Sequence, residues 1–250
     1  MTAKPITPGQ KKQLSRFVRD AAEHVSLDDF DAEAAQRIIE SGDKLPEAFK
    51  LALLRLSRKP DAVRITQAQR LWEVGLGRDL GLKHNEFEGY LEMMPEVPDS
   101  LLAPDPFLPL LRLLDPRLGA QKICQLAKVA DYGVSNLDPF DQRHATPMVP
   151  HWVRALDGRV NHGRTPNDCR AECVGKLLAG TDHVGLALYI HDNNVVKKGE
   201  HVMDLPGSVH RDARSYCAFL EVWDVGPGLD DHRHSGIPYL QYGTVVFSRE

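Results

Sequence analysis

The stretch MDLPGSV, residues 203–209, decides how the C-terminal half of the chain is read. Proline presets φ near −65° and glycine tolerates positive φ, so Leu205-Pro206-Gly207-Ser208 reads as a type II turn. Strand-like apolar runs flank it, Val184–Ile190 before and Ser215–Trp223 after. A third run, Tyr242–Phe247, follows the loop signal Gly226-Pro227-Gly228, and His151–Leu156 is a further strand candidate. Short strands punctuated by Pro and Gly predict a small, mainly antiparallel sheet. Thr165, Pro166 and Asp168 take the cap, first-turn and N3 positions of a helix. Its apolar face holds Cys169, Cys173, Val174, Leu177 and Leu178, and Gly180 ends it.

Upstream the pattern changes. Leu14, Phe17, Val18, Ala21, Ala22 and Val25 recur at helical spacing, predicting a helix over residues 8–25. Asp31 caps a second helix stopped by Gly42, and Pro46 opens a third that runs to Arg58. Thr66 and Gln69 have capping-box spacing, predicting a fourth with Ala68, Leu71 and Trp72 inward. Six prolines between Pro95 and Pro116 interrupt a leucine-rich stretch too apolar for a solvated linker. It reads as a packed connector with one short helix near Leu108–Leu114, followed by a helix at 120–130. The fold class expected is α+β. A helical subdomain at 1–100 and a connector at 101–150 pack on an α+β subdomain at 151–250.

Composition narrows the function classes. The 250 residues are 42% hydrophobic and 26% charged, the balance of an ordinary globule. Net charge is −4 and evenly spread, without the basic stripe that phosphate contacts require, which argues against nucleic acid. No apolar stretch approaches the roughly 20 residues of a membrane span, and MTAKPITPGQKKQ lacks the apolar core of a signal peptide. Four scattered cysteines read as reduced, buried thiols. A cytoplasmic location is expected.

The strong catalytic motifs are missing: no H-E-x-x-H, G-x-S-x-G, phosphate loop or C-x-x-C occurs. Gly75, Gly77 and Gly81 miss the dinucleotide fingerprint by one residue and follow a helix, so they read as turns. Nine of eleven histidines lie from His144 onward, several beside acids, a pairing that suits metal or acid–base chemistry. A metal enzyme would need three of His183, His191, His201, His210, His232 and His234 together. Because His232 and His234 read as a solvated loop, neither metal nor cofactor is expected. Arg154, Asp157, Asn161, Arg164 and Asp168 gather ahead of a helix N-terminus, a place suited to an anion. With Asp204 beside the turn, the candidate ligand-binding residues are Arg154, Asp157, Arg164 and Asp204.

At these residues a resemblance appears. Trp152-Val153-Arg154, Asp157-Gly158, Asn161, Arg164, Cys169-Arg170, MDLPGSV and the terminal YGTVVFSRE together resemble an uncharacterised bacterial protein family. The likeness covers roughly residues 151–250 and is specific chiefly at MDLPGSV. It implies a helical N-terminal region and a C-terminal sheet, and it carries no activity with it. The leading expectation is therefore a non-catalytic cytoplasmic protein that binds a protein partner or a small anionic ligand. The alternatives are a hydrolase or transferase acting on a small anionic substrate through the Arg/Asp cluster, and a His/Asp metal enzyme.

Overall fold

The computed structural model describes residues 62–249; the helices expected over 8–25, 31–42 and 46–58 lie outside them. The described residues cluster as one compact unit. Four helices open the described part: α1 (Ala62–Glu73), α2 (Leu76–Asp79), α3 (Phe87–Glu92) and α4 (Asp99–Leu102). Then come β1 (Leu110–Leu114), α5 (Gly119–Ala127), β2 (Ala130–Tyr132), β3 (Leu137–Pro139) and β4 (His151–Leu156). The chain continues through α6 (Pro166–Ala171), β5 (Leu177–Ala179) and α7 (Asp182–His191). It ends in β6 (Val202–His210), β7 (Tyr216–Trp223), β8 (Gly226–His234), β9 (Tyr242–Thr244) and β10 (Val246–Arg249). The mixed helix-and-sheet class and the predominance of antiparallel pairing agree with the sequence expectation.

The strands form two sheets rather than one small one. The first has the order β1-β4-β10-β5 and is antiparallel throughout. The second runs β2-β8-β7-β6-β3, with β9 also pairing β6; only the β2–β8 and β6–β9 pairs are parallel. Because β1 pairs with β4, the leucine-rich connector and the region after residue 150 share one sheet. Leu110–Leu114 is thus a strand, not the short helix expected. Alternation explains it: Leu113 packs with Trp152 against α1 to α4, while Leu114 packs with Val153 and Ala155 in the core around α7. The free edge of β1 is closed by a side chain. Gln67 Nε2 donates to the Leu111 carbonyl at 2.8 Å, and its Oε1 accepts from the Leu113 amide at 2.7 Å.

Three further corrections concern the helices. Val184–Ile190 lies within helix α7, capped by Thr181, whose Oγ1 accepts from the Val184 amide. A helix enclosed on nearly every side shows no amphipathic period, so its apolar run resembles a buried strand. The helix opened by Thr165 and Pro166 ends at Ala171, and Leu177–Ala179 is a strand. Thr66 lies inside α1, where its hydroxyl donates to the Ala62 carbonyl at 2.7 Å instead of capping. Ala68, Leu71 and Trp72 are buried as expected, beside Tyr90 and Met94.

MDLPGSV is not a turn. It is the buried heart of β6, and Gly207 has no positive φ. What Pro206 and Gly207 do is interrupt the ladder. Leu205 pairs with Ala218 and Val209 with Cys217, so three residues bulge opposite one step of β7. The bulge turns the Gly207 amide toward the Gly180 carbonyl at 2.8 Å. Gly180 in turn donates to Val245, and Val245 to Asp204, at 2.8 and 3.0 Å. These three bonds tie β6 of one sheet to the ends of β5 and β10 in the other.

A side chain at 207 has no room, because a Cβ there would lie 2.3 Å from the Ala179 carbonyl and 2.8 Å from that of Gly180. Gly207→Val is therefore expected to cost at least about 2 kcal/mol by overpacking, lowering Tm by roughly 5 °C or more. A Gly207→Val chain melting like the wild type in a thermal scan would contradict this close approach.

Candidate functional site

The four residues singled out from the sequence face different partners. Arg154 is buried on β4, and its guanidinium is spent on backbone carbonyls. It donates to Leu101 at 2.6 and 3.1 Å, to Ala103 at 2.7 Å and to Leu108 at 3.2 Å. It fastens the connector to the sheet. Asp157 begins the turn at Gly158, accepts from the Arg159 amide at 3.1 Å and pairs with the Arg159 guanidinium. Arg164 reaches Glu172 at the surface and Asn161 Oδ1 at 3.4 Å. Asp168 sits in the cap box of α6, where Thr165 Oγ1 accepts from its amide at 3.0 Å.

Asp204 is wholly buried and pairs with Arg233, a residue the sequence reading did not single out. Arg233 Nε donates to Asp204 Oδ1 at 2.8 Å, and its guanidinium carbon lies 4.5 and 4.8 Å from the ring centroids of Tyr239 and Tyr242. Alternation along Asp230–His234 would have put Arg233 on the face opposite Asp230; the register slip between the Phe219–Asp230 and Cys217–Arg233 pairs is what brings it to Asp204. Burial pushes the Asp204 carboxyl up to about 6, although the Arg233 charge pulls it back. The pair therefore holds the sheet without offering a charge to a ligand.

The histidines fall into separate groups. His162 Nε2 lies 2.6 Å from His201 Nδ1, and burial drives His201 down to about 4. His183 pairs with Asp182 at 3.0 Å, and Ser208 donates to the same carboxylate. Burial also drives His191 down to about 4, with its Nε2 donating to the Leu113 carbonyl. His210 and His232 meet across Asp231, and the three donor atoms lie within 4.8 Å of one another. The expected loop at His232–His234 is the end of β8, which is what brings Asp231 and His232 to His210.

A groove of about 530 Å³ crosses the end of the first sheet. Leu110, Leu156, Val246 and Leu177 contribute to it, one from each strand, and Phe107 and Val160 rim it. Register explains why it is open. Leu113, Trp152, Leu156 and Val246 share one sheet face. Among the described residues, the helical layer packs on Leu113 and Trp152, the β1–β4 side of that face. Phe107 and Val160 are left 82% and 80% exposed.

Because the folded pKa of Asp204 is raised, its contribution to stability is complete below about pH 4 and is lost as pH climbs through about 6. Urea titrations should show the wild-type advantage over Asp204→Asn shrinking by on the order of 2–3 kcal/mol between pH 4 and 7. A constant difference would count against it. Comparisons with protein-family models, with curated proteins and with solved structures each find no match to this chain.

Proposed function

We propose that the chain is a non-catalytic binding protein whose ligand is a small, largely apolar molecule held in the groove at the end of the four-stranded sheet. One observation carries this reading: Phe107 and Val160 stand exposed beside a groove of about 530 Å³ lined by Leu156, Val246 and Leu177 from three of the four strands, with β1 at its edge. Concavities of roughly 300–1,000 Å³ with apolar walls are the usual form of small-molecule sites. Single exposed apolar residues need no explanation, but a rimmed apolar hollow marks an interaction site. The lone carboxylate in the lining, Asp157, is already paired with Arg159, so it makes no demand for a cationic ligand.

The reading with a small anionic substrate gains less support. Arg154 is committed to three carbonyl groups, Asp204 to Arg233, and Arg164 to Glu172. Four free, buried thiols suit a reducing compartment, and we place the protein in the bacterial cytoplasm on that ground and on the resemblance at MDLPGSV. Among the described residues no helix is long and apolar enough to cross a membrane.

The test uses the full chain with 1-decanol as probe, followed by calorimetry and thermal shift. Saturable binding with one ligand per chain is expected, and Phe107→Asp and Val160→Asp should each weaken it at least tenfold while leaving Tm nearly unchanged. Unsaturable partitioning, or binding indifferent to both substitutions, would overturn the proposal. Concentration-dependent self-association abolished by the same substitutions would instead assign the groove to a second copy of the chain.

A further inference from the structure

We propose that His210, Asp231 and His232 form a binding site for a divalent first-row transition metal. The residues converge from two strands that β7 separates: His210 ends β6, while Asp231 and His232 lie near the end of β8. Their donor atoms fall within 4.8 Å of one another. Two imidazoles and a carboxylate are a donor set that suits zinc, cobalt, nickel and iron rather than calcium or magnesium.

The carboxylate is the informative member. Asp231 is 0% exposed, and Asn136 Nδ2 donates to its Oδ2 at 2.9 Å. Gly133 leaves the room, since a Cβ there would lie 2.3 Å from that oxygen. The other oxygen, Oδ1, has no aligned hydrogen bond; the nitrogen against it is His232 Nδ1, which also lies 3.3 Å from Asp230 Oδ1. A buried carboxylate oxygen whose near neighbour is an imidazole nitrogen rather than an aligned donor favours a cation between them. His210 Nε2 stands 3.7 Å from Oδ2, too long for a hydrogen bond. Two atoms bound to one ion at about 2.1 Å each can stand up to about 4.2 Å apart, so the same spacing fits shared coordination.

The free protein holds its protons in a different arrangement. The amides of Asp212 and Ala213 donate to His210 Nδ1 at 3.1 and 3.2 Å, which puts the neutral ring's proton on Nε2. An ion taking Nε2 moves that proton to Nδ1, where it meets the two amides, so the turn at 211–213 has to shift. Binding is therefore weaker than in a preformed site, and it is coupled to this turn. His232 adapts easily: its side chain is 68% exposed, so water can take its proton from Nδ1 and return one at Nε2.

The experiment uses the untagged full chain, stripped with a chelator and titrated with Co²⁺, reading visible absorption and metal retained after equilibrium dialysis. One Co²⁺ per chain is expected, displaced by Zn²⁺, with faster amide exchange at Asp212 and Ala213 on loading. H232Q changes an exposed side chain and should weaken binding at least tenfold without altering Tm. D231N should do the same, its fold checked by circular dichroism. H234Q, outside the cluster, should bind as the wild type does. No retained Co²⁺, retention unchanged in H232Q, or an equal loss in H234Q would overturn the proposal.

Discussion

The three backbone hydrogen bonds joining Gly207, Gly180, Val245 and Asp204 hold the two sheets in register. Strand β6 is buried along nearly its whole length, so each amide and carbonyl on it must find a partner inside the protein. Its outer edge is covered in pieces, by β9 over Val202–Asp204 and by β3 over Ser208–His210. Between those pieces the ladder would fail. Proline at 206 removes one donor where the ladder breaks, and glycine at 207 lets the neighbouring carbonyls close in. Gly180 is small for the same reason, since a Cβ there would lie 2.6 Å from that of Val245. The chain passes from one sheet to the other at Val245, between β9 and β10, so the two sheets are joined covalently at the point where the hydrogen bonds meet.

Local chemistry was legible where one residue type has one use. Thr165 caps α6 with Pro166 at its first position, His151–Leu156 is a strand, and the helix expected at 120–130 is α5. The misreadings have a common cause. Val184–Ile190, Leu108–Leu114 and MDLPGSV are all apolar on more than one side, and periodicity is lost when no face meets water. Thr181 before Asp182 was the available sign of a helix start at α7, and the leucine alternation in β1 was too short to outweigh the surrounding prolines. Proline and glycine in MDLPGSV did mark a break in regular structure. The break is in the pairing of a strand and not in the direction of the chain.

The candidate site was less legible, because a charged residue carries no mark of what it will face. Arg154 shows the difficulty. Its position near Asp157 and Arg164 suggests an anion site, yet register puts it on the sheet face where α4 and the connector end, and carbonyls satisfy it. Asp204 reads as a turn residue, while Arg233, which neutralises it, lies in a histidine-rich segment that reads as loop. The meeting of His210 with His232 depends on the slip between β7 and β8 at Cys217 and Phe219, which no spacing in the sequence encodes. The groove depends on how far a helical layer extends across a sheet, a matter of tertiary packing alone.

One side-chain amide has a consequence beyond its own fold. Sheet edges are templates, and natural proteins take pains to blunt them. On β1 the blunting is shared by His191, on the Leu113 carbonyl, and Gln67, whose carboxamide has the same donor and acceptor as a peptide group and occupies the place of a single residue of a neighbouring strand. The Leu111 carbonyl and Leu113 amide it holds are the groups that an extended segment of another molecule would seize first. A helix thus lends one residue to the sheet, and the hydrogen-bonded ladder stops there.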